Sequence, residues 1–290
     1  MVDAGRLRVY LNLMTLDALP ESSRGPRGSE RRERFESLRE AGFDGVQFAA
    51  LANENELADC KALGLEIAAS GRVNHAREAG ELAEQLAGRG YECATLHVGW
   101  GLENDGEAAQ LIDAVLEASD RWHVPLYIET HRATICQDMR RTVQWVERFP
   151  EMRFNGDFSH WYTGQEMVYG GFERKVSFIQ PVIERVRFLH GRIGTPGCMQ
   201  VRVDGDARHE PVYVTQFRRL WKACFSEFLS RAGADDSIYF APELLGPEIF
   251  YARTFPDAAG EPVEESDRWE QALLLKRIAE ECFAEARQDD

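Results

Sequence analysis

At 290 residues and 44% hydrophobic content, the chain can build a full core in one large α/β domain or two ordinary ones. A formal charge of -15 and a pI near 5.0 give a surface that repels phosphate backbones, which argues against nucleic acid as the main partner. No apolar stretch approaches the roughly 20 residues that span a bilayer, and the early charges of MVDAGRLRVYLNLMTL do not make a leader, so the expectation is a cytoplasmic protein without a membrane partner. The cysteines at 60, 93, 136, 198, 224 and 282 have no CxxC or finger spacing, which fits a reducing compartment.

The chain alternates between two patterns. RVYLNLM (8–14) reads as a first strand, followed by a polar Gly/Pro/Arg loop at 20–28 and an amphipathic helix from about Ser29 to Ala41. Second to fourth strands fall at FDGVQFA (43–49), LEIAAS (65–70) and YECATLHVG (91–99), with helical patterns over 53–63, 74–87 and 106–121 after them. Gly42, Gly64, Gly88 and Gly233 are the expected helix stops. PLYIE (125–129), RFNGD (153–157), VRFLH (186–190) and SIYFAPE (237–243) complete eight strands, with helices near 137–148, 172–185, 211–231 and 265–287. Eight βα units in one chain are the arithmetic of a single (β/α)8 TIM barrel domain over 1–290. A doubly wound open sheet competes less well, because no glycine-rich phosphate loop follows the first strand.

The last four strands each end on a residue that can ligate a metal: Glu129, Asp157, His190 and Glu243. The C-terminal ends of barrel strands are where this architecture keeps its chemistry. Three carboxylates and one imidazole suit one divalent ion, Mn²⁺, Mg²⁺, Co²⁺ or Zn²⁺, and nothing in the sequence chooses among them. A single strand-end carboxylate is more often a cap or a solvated loop residue; four in succession are a rarer coincidence.

This pattern resembles the xylose isomerase-like barrels, the sugar phosphate isomerase/epimerase group, over essentially the whole chain. GDFSHW adds to the match, because members commonly carry a His three residues after the metal Asp, as His160 follows Asp157. The resemblance implies that Glu129, Asp157, His190 and Glu243 hold the metal and that His160 touches substrate. It further implies that Glu129 and Glu243 are catalytic, passing a proton through a metal-stabilised cis-enediolate of a sugar, sugar acid or polyol ketone. The partner expected is therefore a small carbohydrate-like molecule. Relatives often form dimers or tetramers through barrel helices, so a homo-oligomer stays open.

Other residues near the strand ends are substrate-binding candidates with ordinary structural alternatives. Arg192 follows His190 by two residues, closer than the Arg of many epimerases, and could grip a substrate hydroxyl or carboxylate. His131 and Arg132, in IETHR, add positive charge beside the site and point to an acidic substrate or to a cap. His97 ends the fourth strand, and Trp100, Trp161 and Tyr162 could wall a sugar ring or simply pack beneath loops. Asn12 ends the first strand, and the loop over 158–171 is a candidate lid.

Two other reactions compete with isomerisation. A lyase would expel a β-hydroxyl, as the inosose and dehydroshikimate dehydratases of the resembled group do. The apurinic endonuclease branch adds ligands for three zinc ions; His97, His160, His209, Asp204 and Asp206 are candidates, but only His75 lies near the third strand's end. A binding barrel without catalysis is the remaining reading.

Overall fold

The computed structural model describes residues 5–27, 31–205 and 209–289; Ser29, the expected start of the first helix, lies outside them. Eight strands close a parallel barrel in chain order, from β1 to β8 and back to β1. They are β1 (Arg6–Asn12), β2 (Gly45–Phe48), β3 (Glu66–Val73), β4 (Cys93–Val98), β5 (Leu126–Glu129), β6 (Phe154–Asn155), β7 (Val186–Gly191) and β8 (Ser237–Pro242). Closure is made by β1 and β8, with Arg6 opposite Ser237 and Val9 opposite Phe240. The (β/α)8 expectation holds.

Around the barrel run α1 (Arg31–Glu40), α2 (Glu54–Leu63), α3 (Ala76–Arg89), α4 (Asp105–Trp122), α5 (Met139–Arg148), α6 (Phe158–Gly164), α7 (Phe172–Phe178), α8 (Gln180–Ile183), α9 (Val212–Leu229) and α10 (Arg268–Asp289). Asn53 and Asn104 start α2 and α4 as capping boxes, each accepting from two early backbone N–H groups. Two details differ from the sequence reading. Helix α3 runs through Gly88 and stops at Gly90, which takes the left-handed conformation. The single helix expected over 172–185 is two, α7 and α8, because Pro181 has no N–H to continue the ladder. An antiparallel hairpin, β9 (Thr254–Pro256) with β10 (Pro262–Glu264), lies between β8 and α10 and was not anticipated.

The main apolar core lies between barrel and helices, with Val46, Leu96, Ile128 and Phe240 packed against residues such as Ala83, Ile112, Trp221 and Ile278. The barrel interior is a second, separate region. Its lower part is an aromatic layer of Tyr10, Tyr127 and Phe188 with Ala68, Cys93 and Ala241, and Tyr239 packs against it. Because strand side chains alternate between faces, residues two further along the same strands also point inward. Above Tyr10, Gly45, Cys93, Tyr127 and Phe188 therefore come Asn12, Gln47, Thr95, Glu129 and His190. These five are all buried, so the barrel becomes polar as it rises.

Candidate functional site

The upper barrel begins with a floor of amides. Asn12 Nδ2 donates to Gln47 Oε1 at 3.0 Å and to Glu243 Oε1 at 2.9 Å. Gln47 Nε2 donates to Thr95 Oγ1 at 2.9 Å. His190 Nε2 lies 3.0 Å from the same Gln47 oxygen, so that nitrogen donates there and Nδ1 faces the cluster above. Asn155 Nδ2 lies 3.0 Å from Glu129 Oε2 and 3.0 Å from His190 Nδ1, tying β5, β6 and β7 together. Asn155 reaches this level because the β6–β7 register jumps, with Phe154 opposite Val186 but Asn155 opposite Phe188.

Three carboxylates converge on His190. Its Nδ1 is 3.4 Å from Glu129 Oε2, 3.4 Å from Glu243 Oε2 and 4.0 Å from Asp157 Oδ2. A tetrahedral ion with bonds of roughly 2.0–2.1 Å has ligand–ligand edges of roughly 3.3–3.4 Å, so these spacings and this donor set fit a divalent cation. Asp157 is also the N-cap of α6: its Oδ1 accepts from Ser159 N at 3.1 Å and from Ser159 Oγ at 2.5 Å, leaving Oδ2 for the cluster. Among the described residues, three groups of side chains could hold a metal ion: Asp157, His190 and Glu243; Glu129, Asp157 and His160; and His97, Glu129 and His131. They overlap through Glu129 and Asp157 and form one continuous patch.

Above the carboxylates lies a wall of cations and imidazoles. Arg192 is 1% exposed; its Nη2 contacts Asp157 Oδ2, and lies 3.0 Å from Glu243 Oε2. Burial disfavours its charge, but Asp157 and Glu243 overcome this and raise its pKa above the ordinary value. His97 Nε2 lies 3.1 Å from Glu129 Oε1, while Arg72 Nη2 lies 3.0 Å from His97 Nδ1. Burial lowers the His97 pKa, yet Glu129 more than reverses this. Burial likewise pushes Glu129 up, and His97 and His190 pull it well below the usual carboxylate range. The rings of His97, His131 and His160 lie in series, tilted to one another, with centroids 4.2 Å and 3.8 Å apart. Burial drives the His131 pKa down to about 3 and that of His160 well below its usual value, so both imidazoles are neutral near pH 7.

These groups enclose a cavity of about 300 Å³ whose lining includes Glu129, Glu243, Arg72, His97, His131, His160, Arg192 and Tyr251. Asp157 and His190 lie beneath it. Trp161 is fully buried and donates from Nε1 to the Cys136 carbonyl at 2.9 Å, so it packs under a loop and does not line the cavity. Trp100 is 54% exposed and lies under the Arg72 guanidinium, 3.9 Å from it, outside the lining. Tyr162 is also buried and donates to Gln216. The lid candidate over 158–171 begins with the packed helix α6, whose Phe158, His160 and Trp161 are buried.

Sequence reasoning missed Gln47, Thr95, Arg72, Asn155, Ser159 and Tyr251. Asn155 carried a signal, since it precedes Asp157 by two and so shares its face, and Gln47 is a lone amide in an apolar strand. Of the extra zinc ligands considered, His209 and Asp204 fall outside all three groups, Asp204 pairing with Arg202 at 2.9 Å. His75 begins α3, and Asp206 lies outside the described residues.

No family model and no curated protein matches the chain. Solved structures do. A xylose isomerase-like TIM barrel protein from Mycobacterium smegmatis, in complex with magnesium, aligns at TM-score 0.58 and 13% identity over 96% of this chain and 97% of its own. The probable 3-DHS dehydratase AsbF from Bacillus anthracis, involved in petrobactin synthesis, aligns at TM-score 0.56 and 16% identity, covering 83% and 94% respectively. Endonuclease IV from Thermus thermophilus aligns at TM-score 0.51 and 15% identity over 95% and 99%. With an endonuclease among these, the exclusion of nucleic acid expected from the acidic surface gains no support. Among the described residues no helix is long and apolar enough to cross a membrane. At these identities the likeness is one of fold: the chain has the fold of the xylose isomerase-like TIM barrels.

Proposed function

We propose that the protein is a divalent-metal-dependent enzyme that isomerises or epimerises a small hydroxy-carbonyl compound such as a sugar, sugar acid or polyol ketone. The observation carrying this reading is the position of His190 Nδ1, 3.4 Å from an oxygen of each of two buried glutamates that come from strands three apart in the ring. Glu129, Asp157, His190 and Glu243 would hold the ion. When bound, it supplies Lewis-acid polarisation of a carbonyl and makes the adjacent C–H more acidic. Glu129 and Glu243 line the cavity and are the acid–base pair, one taking that proton and the other returning one. Asn12 and Asn155 fix the orientation of the two carboxylates by donating to Glu243 Oε1 and Glu129 Oε2. Arg72, His97, His131, His160 and Arg192 meet the substrate's oxygens from above. A volume of about 300 Å³ suits a molecule of monosaccharide size.

The second reading is a dehydratase. It is favoured by the neutral His131 and His160, held beside Arg72 and Arg192, which suit an anionic substrate and offer an imidazole beyond the two glutamates. A nuclease reading is weaker: His97 and His160 do join the cluster, but His209 and Asp204 stand apart from it and His75 begins α3.

Metal content per chain, measured by elemental analysis on untagged protein, tests the common basis of these readings. About one divalent ion that is lost in Asp157→Ala is expected, and no ion after soaking with Mn²⁺ or Zn²⁺ overturns them. Incubating ketoses and keto acids in heavy water then separates the reactions. Deuterium gained by a product of unchanged skeleton mass identifies an isomerase or epimerase, and loss of one water identifies the lyase.

A further inference from the structure

Arg192 and an ion held by this cluster call on the same atoms. The guanidinium Nη2 contacts Asp157 Oδ2 and lies 3.0 Å from Glu243 Oε2, the two oxygens that lie 4.0 Å and 3.4 Å from His190 Nδ1. Arg192 Nε is held by Ser159 Oγ at 3.1 Å, and its guanidinium carbon lies 4.8 Å from the centroid of the Tyr251 ring. Its Nη1 is buried with no partner. A group held for stability alone would have that donor satisfied, since an orphaned buried N–H is costly and more so when charged.

Charge sets the second constraint. Glu129, Asp157 and Glu243 are all buried, and burying carboxylates together without a counter-charge is costly. Arg192 supplies that counter-charge, and a divalent ion would supply more of it to the same oxygens. The two cations would then repel each other across a few ångströms of poorly screened interior.

We propose that Arg192 is a built-in competitor for the ion: it neutralises Asp157 and Glu243 in the metal-free protein and is displaced from them when a divalent cation binds. The inference rests on reading the cluster as a divalent-ion site. The guanidinium has somewhere to go: Arg192 and Tyr251 both line the cavity, and the Tyr251 ring already faces the group. The consequence runs against the usual behaviour of residues that support a metal site, whose removal weakens binding about 10–100-fold. Removing the Arg192 guanidinium tightens it.

The test uses the full chain, stripped with a chelator and titrated with Mn²⁺ by calorimetry, as wild type and as Arg192→Met. The expected result is Mn²⁺ binding at least tenfold tighter in Arg192→Met, together with a lower melting temperature of the metal-free variant that saturating Mn²⁺ restores. Equal or weaker Mn²⁺ affinity in Arg192→Met overturns the competitor role and leaves the metal site standing. Failure of both proteins to bind Mn²⁺ or Zn²⁺ overturns the site reading itself. Should metal-free Arg192→Met fail to fold, Arg192→Lys decides. The lysine nitrogen falls one bond short of the Nη2 that meets both carboxylates and has no counterpart of the Nε bond to Ser159, so Mn²⁺ binding severalfold tighter than wild type is expected, and no tightening overturns the proposal.

Discussion

The lower and upper halves of the barrel interior are both filled by inward-facing side chains, yet they are finished differently. Below, the Tyr10 hydroxyl lies 2.9 Å from Glu66 Oε2 and 2.8 Å from Glu92 Oε2, and Tyr239 donates to Glu92 at 3.2 Å. The rings close the space by edge and stacked contacts, Tyr10 with Tyr239 at 5.4 Å and Tyr239 with Phe188 at 5.7 Å. Above, Asn155 Oδ1, His160 Nδ1 and Arg192 Nη1 are buried without partners, and no atom of the lower layer is in that position among the described residues. Polar atoms that packing has satisfied indicate stability. Polar atoms left open beside a cavity indicate a ligand.

Mutation should therefore separate the two ends by which property it damages. The largest effect is expected above. Glu129→Gln and Glu243→Gln should each lower turnover about 10²–10⁴-fold, the range for losing a positioned acid or base, while the barrel still unfolds cooperatively. Steady-state kinetics on the substrate found by deuterium exchange checks this, and near-normal turnover in either variant would break the comparison. Tyr10→Phe should do the reverse. It costs about 1–2 kcal/mol of stability through the lost bonds to Glu66 and Glu92, without altering metal affinity or kcat, as denaturant unfolding and kinetics would report.

The smallest effect sharpens the comparison by standing outside the barrel. Glu78 accepts from the backbone of Asn74 at 2.7 Å and of His75 at 3.1 Å at the start of α3, and these bonds hold its pKa below the ordinary value. A depressed carboxylate pKa contributes stability that is present above the unfolded value near 4.3 and lost as pH falls through the folded value. Glu78→Gln should thus cost roughly 0.3–1 kcal/mol at neutral pH. The difference from wild type should shrink in unfolding experiments as the pH falls below the ordinary carboxylate value.

Legibility in the sequence follows the same division. The eight strands could be read because each is a short apolar run between turn signals, and the sequence reading ended three of the last four on carboxylates that the fold does bring together with His190. What could not be read depends on contacts between strands distant in the chain. The lower layer is invisible because Tyr10, Tyr127 and Phe188 look like ordinary strand residues until closure makes them neighbours. Arg192 reads as a grip on substrate or as a loop arginine, and nothing local to it says that its side chain ends between Asp157 and Glu243. Asn155 was half legible: its spacing from Asp157 gives its face, but the register jump that sets its level leaves no mark in the periodicity. Trp161 misled for the opposite reason, because an aromatic near a strand end looks the same whether it faces a cavity or, as here, the underside of a loop.

Asp157 joins two structures through one carboxylate. Oδ1 holds the first turn of α6 through Ser159, while Oδ2 faces the cluster. Whatever draws on Oδ2 also sets the torsion that keeps Oδ1 against the helix start, so occupancy of the cluster and order at α6 are thermodynamically linked. The amide of Ser159 is in effect a gauge wired to the site, and its hydrogen-exchange rate should report binding without any knowledge of the substrate.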